Sequence, residues 1–513
     1  MNQTEITKLV TFIEENLRAS PSSGLPFVDS RSFRTRLLSK QNHVVFGRRG
    51  SGKTTLISST KEPSTHLDIY LNLEDFKDIT FPNIVIYVLH EMFNLLNDQI
   101  SNMYPWYKFS VRSFNRRRRI KSVCTKLSNL LHEPDQETQE VSTQESRERE
   151  LSGSMKSHGG SSGGGIKGSK KTQIKRSLPK SKIEYLKIEL TTYKKLLTSL
   201  SSLFPKKPIF LLLDDFYFVP KSTQPDLLDY FHRLTKGTEL FLKVATIRHR
   251  SKLYRRESER YVGVELSHDI FEVDMDYSLD NFDDLQNFMR KLLETAIEQS
   301  KSNIVVDDIF AGEGFSQLCL ASGGVPRDFL SLFVTLANKA VATGSRIGKV
   351  DVTDAAISNI GSKLESMKKD SGSEDAILED YISKIKRFVY TDKRTNAFLI
   401  AKEDLESDSQ AKQAIRELVD LRLVHLVDHN TSKAASDGRR YEGYILDIGL
   451  YDNPRPRSFT QIEPGQRDDK ARKDELRAAP LLDIRIFQQP IESLQKDKTN
   501  SKSKPKQLEL SFQ

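Results

Sequence analysis

Cysteine is nearly absent, with only Cys124 and Cys319 in 513 residues. The two lie far apart and make no CxxC or metal-ligand spacing, so neither a disulfide framework nor a zinc site is expected. Such scarcity fits a reducing compartment. Long apolar runs are missing as well. No stretch approaches the ~18 consecutive apolar residues of a membrane span, and no signal-peptide pattern is visible. The Ile6–Leu17 segment has helical spacing but is interrupted by Lys8, Glu14 and Glu15. A soluble cytoplasmic protein without membrane contact is the expectation. Acidic residues fall short of basic ones, 70 against 79, which leaves a net charge of +9 and a pI near 9.1. That balance suits an acidic partner such as nucleic acid, or else it sits in solvated tails. The chain is too long for one core, so two or three domains are expected.

What is present is organised around His43–Thr55. Val44–Phe46 reads as a buried strand and Thr54 onward as the first turn of a helix. Between them GxxxxGK[ST] is filled by Gly47, Gly52, Lys53 and Thr54, with Gly50 and Ser51 inside the loop. Phosphates need a ring of backbone N–H groups, and only glycine lets the chain curl that tightly with positive φ. The helix N-terminus behind the loop adds partial positive charge. Gly47, Gly50, Ser51, Gly52, Lys53, Thr54 and Thr55 are therefore the nucleotide-binding candidates. Lys53 would reach the β- and γ-phosphates and the Thr54 hydroxyl would bind Mg²⁺.

A second stretch agrees. Pro208-Ile209-Phe210-Leu211-Leu212-Leu213-Asp214-Asp215 is an apolar strand of a parallel sheet ending in two carboxylates. Asp214 is the Mg²⁺ candidate, and Asp215 the group that orients or deprotonates the attacking water. Asp215 is a methylene shorter than the glutamate of many such enzymes, which implies slow hydrolysis. Leu240–Ile247 reads as a further strand, and Thr246 at its tip is a candidate γ-phosphate sensor or a simple strand end. Arg233, Arg248 and Arg250 are candidates for a finger acting on a neighbouring subunit. In Ala321–Leu330 a Gly-Gly-Val-Pro turn opens a helix, and Arg327 in its first turn is placed to reach the nucleotide.

Around these motifs, residues 1–20 read as one amphipathic helix, and Phe27-Val28-Asp29 as a lead-in that packs on a base or simply in the core. Leu67–Leu73 alternates as a strand, and Ile84–Leu96 has the spacing of a buried helix. Arg116–Arg119 with Lys121 cannot share one helical face, which leaves a solvated patch or a phosphate contact. From Glu133 to about Lys180 the composition collapses to Glu, Gln, Ser, Gly and Lys, as a disordered insertion would.

In this order the pieces GRRGSGKTT, FLLLDDF, LKVATIRHR and GGVPRDFL resemble the AAA+ ATPases of the origin-recognition-complex type and their STAND relatives. The resemblance covers roughly residues 25–345 minus the insertion. It implies an α/β P-loop ATPase core flanked by helices (1–275), a helical lid (276–370) and a winged-helix domain (371–452). It also implies ATP and Mg²⁺ as cofactors, with Lys53, Asp215, Thr246 and Arg327 as catalytic residues. A homo- or hetero-oligomer is expected. The residues after the lid support the third domain: a helix at Ala376–Val389, a strand at Ala397–Ala401, a helix at Gln410–Arg422, and a hairpin of Leu423–Val427 with Tyr441–Leu446. Lys412, Arg416, Arg439 and Arg440 would touch DNA phosphates, although Glu417 and Asp420 share the helix; protein contact is the other reading. Beyond Asp452 a disordered basic tail is expected, with an apolar island at Leu481–Phe487. Its end, Gln507, Leu508, Leu510 and Phe512, resembles the hexapeptide by which bacterial proteins dock on the sliding clamp. Two functions stay open: an ATP-driven switch that engages DNA or a DNA-bound complex, and a STAND-type signalling ATPase acting through proteins, for example in anti-phage defence.

Overall fold

The computed structural model describes residues 2–17, 24–62, 65–103, 111–133, 181–201, 203, 207–258, 260–371, 375–434, 436–452, 454–465 and 474–488. Of the insertion expected from Glu133 to about Lys180, residues 134–180 lie outside the described residues, as do the docking residues Gln507, Leu508, Leu510 and Phe512.

Helices α1 (Gln3–Asn16) and α2 (Phe33–Leu37) precede β1 (His43–Phe46), α3 (Lys53–Ser59), β2 (Leu67–Asn72), α4 (Asn83–Met103), α5 (Val111–His132) and α6 (Lys182–Ser201). Then come β3 (Ile209–Asp214), α7 (Gln224–Thr235), β4 (Leu240–Thr246), the hairpin β5 (Tyr254–Glu257) and β6 (Arg260–Gly263), and β7 (Phe271–Asp274). Five strands form one parallel sheet in the order β2-β3-β4-β1-β7. All of β1 and β3 is buried, as expected for strands covered on both faces. Alternation divides their side chains: Leu211 and Leu213 pack towards α4–α7, and Phe210 and Leu212 towards α2 and α3.

A helical unit follows: α8 (Phe282–Gln299), α9 (Val306–Ile309), α10 (Gly314–Ala321), α11 (Pro326–Thr343) and α12 (Lys349–Ser371). The C-terminal unit runs α13 (Asp375–Lys386), β8 (Ala397–Ala401), α14 (Lys402–Ser407), α15 (Ser409–Asp420), β9 (Val424–Thr431) and β10 (Tyr441–Leu446), with α16 (Asp474–Arg477) beyond it. Its three strands form an antiparallel sheet, β8-β10-β9.

Two placements differ from expectation. Helix α1 packs with the helical unit, not with the sheet: Ile6, Leu9, Val10 and Ile13 share a core with Phe329 and Phe333, and Gln3 Nε2 donates to Val341 O (3.0 Å). Residues 454–465 and 474–488, expected in a disordered tail, are folded onto the C-terminal unit. Ile462 exchanges two hydrogen bonds with the buried Asn396 side chain. Leu399 N donates to Pro480 O (2.9 Å), Leu482 N donates to Leu399 O (2.8 Å), and Phe487 stacks on Tyr381 at 4.1 Å. This segment covers the open edge of β8, where unpaired backbone groups would otherwise face solvent. Its charged composition conceals a sparse set of apolar anchors, Ile462, Leu476, Leu482, Ile484 and Phe487, that suffices for docking.

Candidate nucleotide site

The loop after β1 curls at Gly50 (φ 87°) and Gly52 (φ 94°), a region open to glycine without penalty. A Cβ on Gly50 would also lie 2.9 Å from Arg327 Cβ, so the turn is glycine for space as well as for torsion. Lys53 opens α3 and is buried; its ammonium donates to Gly47 O (2.8 Å) and Arg48 O (3.1 Å). Burial pushes its pKa down, opposed by Asp276, Asp215 and Asp214. Ser51 Oγ is buried without a hydrogen-bond partner among the described residues. A cradle with an orphaned hydroxyl and an ammonium held, among the described residues, by carbonyls is chemically matched to a polyphosphate.

β3 brings the acid pair to the same place. Thr54 Oγ1 donates to Asp214 Oδ2 at 2.7 Å, and Tyr70 OH donates to the same oxygen at 3.1 Å. Asp215 N donates to Asp214 Oδ1 (2.9 Å), so both oxygens are held. Thr54 and Asp214 could hold Mg²⁺ with phosphate oxygens and water supplying the rest of its shell. Asp215 sits at φ 52°, strained for a non-glycine residue. Burial, and then the charge of Asp214, raises its pKa to about 6, with Lys53 opposing.

The loop and acids open onto a cavity of about 810 Å³. Arg49, Lys53, Thr54, Asn72, Glu74 and Asp215 line its polar part, and Phe27, Val28, Phe288, Leu292 and Leu330 an apolar part. The lead-in therefore faces this space. Arg327 lines it too, from the first turn of α11; its backbone N–H donates to Gly50 O (3.3 Å), which ties the helical unit to the phosphate loop. Thr246 does not line the cavity: its side chain is fully buried and its hydroxyl bonds Ser251 Oγ. Arg233 pairs with Asp229 (2.7 Å), and Arg248 with Glu272 and Asp274.

The C-terminal unit reaches the same region. Arg422 Nη1 donates to Asp328 Oδ1 (2.6 Å), the residue after Arg327, and His249 Nδ1 at the β4 tip meets Asp420 Oδ2. Gly323 has φ 57°, and a Cβ there would lie 2.3 Å from the His425 ring. His425 Nε2 and Lys363 Nζ each contact Asp447 Oδ2 at 2.8 Å. Burial alone would raise the Asp447 pKa, but Lys363 and His425 outweigh it and hold the carboxyl at about 2. Of the cations expected to face nucleic acid, Lys412 pairs with Glu406, Arg416 with Glu442, and Arg439 with Glu403 and Asp404. Arg440 is exposed and has no side-chain ion pair among the described residues.

Tyr70, Arg48 and His425 escape motif reading. Arg48 is buried, donating from Nη2 to Tyr277 O (3.0 Å) while its N–H donates to Asp276 Oδ1 (2.9 Å). Tyr70 stands out only as the aromatic on the half-buried side of an alternating strand, two residues before the tip that pairs with Asp214.

No protein-family model matches the chain, and no curated protein matches it. Among solved structures it is similar to Drosophila ORC bound to DNA, at 11% identity over 86% of this chain and 89% of that one, with a TM-score of 0.32. It is similar to the Aeropyrum pernix ORC1 protein in complex with DNA, at 14% identity over 86% and 88%, TM-score 0.31. It is also similar to a Walker-type ATPase of Pyrococcus abyssi, at 12% identity over 86% and 92%, TM-score 0.34. The five-stranded parallel sheet, with the glycine loop on β1 and the acid pair ending β3, is the α/β fold of a P-loop ATPase. Among the described residues no helix is long and apolar enough to cross a membrane.

Proposed function

We propose that this chain is an ATP-binding, ATP-hydrolysing switch of AAA+ type whose C-terminal domain responds to the nucleotide. The observation that carries the reading is the 2.7 Å contact between the Thr54 hydroxyl and Asp214 beside the buried Lys53. The loop amides, Ser51 and Lys53 bind phosphate oxygens, with Lys53 leaving the Gly47 and Arg48 carbonyls to do so. Mg²⁺, held by Thr54 and Asp214, neutralises charge on the phosphates when bound. Asp215 orients the attacking water and accepts its proton, a role its raised pKa suits. Arg327 brings positive charge from the lid, and Phe27, Val28 and Leu292 offer apolar surface to the base. Thr246, fully buried with its hydroxyl bonded to Ser251 Oγ, is given no contact with the phosphates in this scheme.

Steady-state turnover of Lys53→Ala tests this. Loss of about 100-fold or more in rate is expected, with the unfolding midpoint kept. Wild-type turnover in that variant removes the assignment.

The C-terminal order helix–strand–helix–helix–hairpin supports a winged-helix domain. Its exposed Arg440 on the wing is the cation left to meet DNA phosphates in an ATP-dependent complex. A second reading, signalling through a protein partner, is favoured by a specific observation: Lys412, Arg416 and Arg439 are already matched by carboxylates, while the domain is fastened to the lid by Arg422 and His425. A salt-dependent affinity for duplex DNA that changes with ATP selects the first. ATP-driven assembly without DNA binding selects the second.

A further inference from the structure

The hairpin β5–β6 lies between β4 and β7, outside the parallel sheet, and the switch described above makes no use of it. Its register places Tyr254 opposite Gly263, Arg256 opposite Tyr261, and Arg255 opposite Val262. Alternation therefore puts Tyr254, Arg256 and Tyr261 on one face. That face is open: Tyr254 is 52% and Tyr261 56% exposed. Their ring centroids are 6.4 Å apart, and the Arg256 guanidinium lies 5.7 Å from the Tyr261 ring centroid. Two half-exposed tyrosines on a four-residue strand pair leave unusual aromatic surface in water, where ring burial is normally favoured.

The opposite face anchors the hairpin. Arg255 Nη2 donates to Asp226 Oδ1 (2.8 Å) on α7, its Nη1 meets the other oxygen, and it also pairs with Glu257. Across the hairpin itself, Gly263 (φ 117°), opposite Tyr254, runs so close that a Cβ would lie 2.2 Å from the Leu253 carbonyl oxygen. The platform is thus held rigid from beneath, and its cost of ordering is met before any ligand arrives.

In front of it runs an open groove of about 990 Å³ that extends back to Phe46 and Ser251 at the sheet edge. Lys252 and His268 are exposed along it. Arg248 forms one wall, but its charge is spent on Glu272 and Asp274. Glu265 is the one carboxylate among the described groove-lining residues. Lys252 and Arg256 carry no ion pair to a carboxylate among the described residues, unlike Arg255 and Arg260, which pair with Glu257. Open aromatic faces interleaved with uncommitted cations fit stacked bases and a phosphate backbone. Only unpaired bases offer their faces to a side chain, so a single strand fits and a duplex does not.

We infer that the outer face of β5–β6, with Tyr254, Arg256 and Tyr261 and with Lys252 at its foot, binds a single-stranded nucleic acid. Bases stack on the two tyrosines while Arg256 and Lys252 hold the intervening phosphates. This surface is independent of the DNA contact ascribed to Arg440 in the C-terminal domain.

The full-length protein, titrated against labelled oligo(dT) and oligo(U) and followed by fluorescence anisotropy, tests it. Saturable binding to either strand is expected, and a preference between them assigns DNA or RNA. Tyr254→Ala and Tyr261→Ala each weaken binding by about tenfold, whereas the Tyr→Phe variants, which keep the ring, bind as wild type does. Arg256→Ala lowers the magnitude of the slope of log K against log salt by about 0.7. ATP turnover stays unchanged in all of these, and Arg440→Glu leaves oligonucleotide binding intact. No binding by the wild type, or equal binding by the alanine variants, overturns the inference. So does tyrosine-dependent binding of poly-glutamate with affinity matching the oligonucleotides, which would make the groove a site for acidic polypeptide.

Discussion

At the scale of single residues, the site is set by a few atoms whose ordinary properties have been shifted by burial. Asp215 is the clearest. Its folded-state pKa of about 6 exceeds the ordinary 3.8, so the fold takes up the proton in that window where the unfolded chain would not. Stability therefore falls as pH rises from about 4 to 6, and the full cost of the ionised carboxylate is present above that. Asp215→Asn should stabilise the protein at neutral pH by on the order of 1 kcal/mol, discounted for partial exposure, while turnover is lost. Thermal unfolding and ATPase assays on one preparation check both halves. In the wild type, turnover should fall as pH drops through about 6. Tyr70 makes a second case. Its hydroxyl fixes Asp214 Oδ2, the oxygen shared with Thr54, so Tyr70→Phe should raise the Mg²⁺ concentration for half-maximal turnover about tenfold. Metal titration of the initial rate reads this, and an unchanged midpoint would show that Thr54 alone orients the carboxylate.

At the scale of elements, the turn before α11 joins three parts of the molecule. Gly323 lies against His425 of β9, a Cβ on Gly324 would lie 2.4 Å from Tyr277 O, and Arg327 N–H meets Gly50 O. Adding a methyl at Gly323 forces both a left-handed alanine and a clash with a buried ring. Gly323→Ala should cost about 1–3 kcal/mol and raise hydrogen exchange along β9. Combining it with His425→Ala should recover part of that loss; a strictly additive double variant would mean that turn and histidine are not coupled. Element-level features also differ in how far they could be read in advance. β1, the glycine loop, β3 and β4 are legible because each is a contiguous run whose composition states its role. β5 and β6 are not, since Tyr-Arg-Arg-Glu and Arg-Tyr-Val-Gly carry no alternation of apolar and polar residues and are held as strands by Asp226 and the Leu253 backbone.

At the scale of the whole molecule, one apolar core runs from α1 through the helical unit into the C-terminal sheet, while the parallel sheet has cores of its own on its two faces. The candidate nucleotide cavity lies where the two bodies meet, with Lys53 and Asp215 from one and Phe288 and Arg327 from the other. A ligand there binds both bodies at once. ATP with Mg²⁺ at a hundred times its dissociation constant should stabilise the fold by about 2.7 kcal/mol, seen as a raised unfolding midpoint. Lys53→Ala should abolish most of that shift, and an equal shift in the variant would place the nucleotide elsewhere.

By itself, the sequence determined the strand–loop–helix that can wrap a phosphate, the acid-tipped strand, and the helix–hairpin pattern near the C-terminus. Each depends on neighbours a few residues away, through glycine torsions, hydrophobic alternation and turn chemistry. Tertiary structure alone decided that α1 serves the helical unit, that residues 474–488 close the β8 edge, and that Thr246 is walled off. It also decided that Tyr70 reaches Asp214 and that Lys412, Arg416 and Arg439 are already paired. Those outcomes rest on contacts between residues far apart in the chain. Such contacts are selected by shape and charge once the cores have assembled, and no local pattern encodes them.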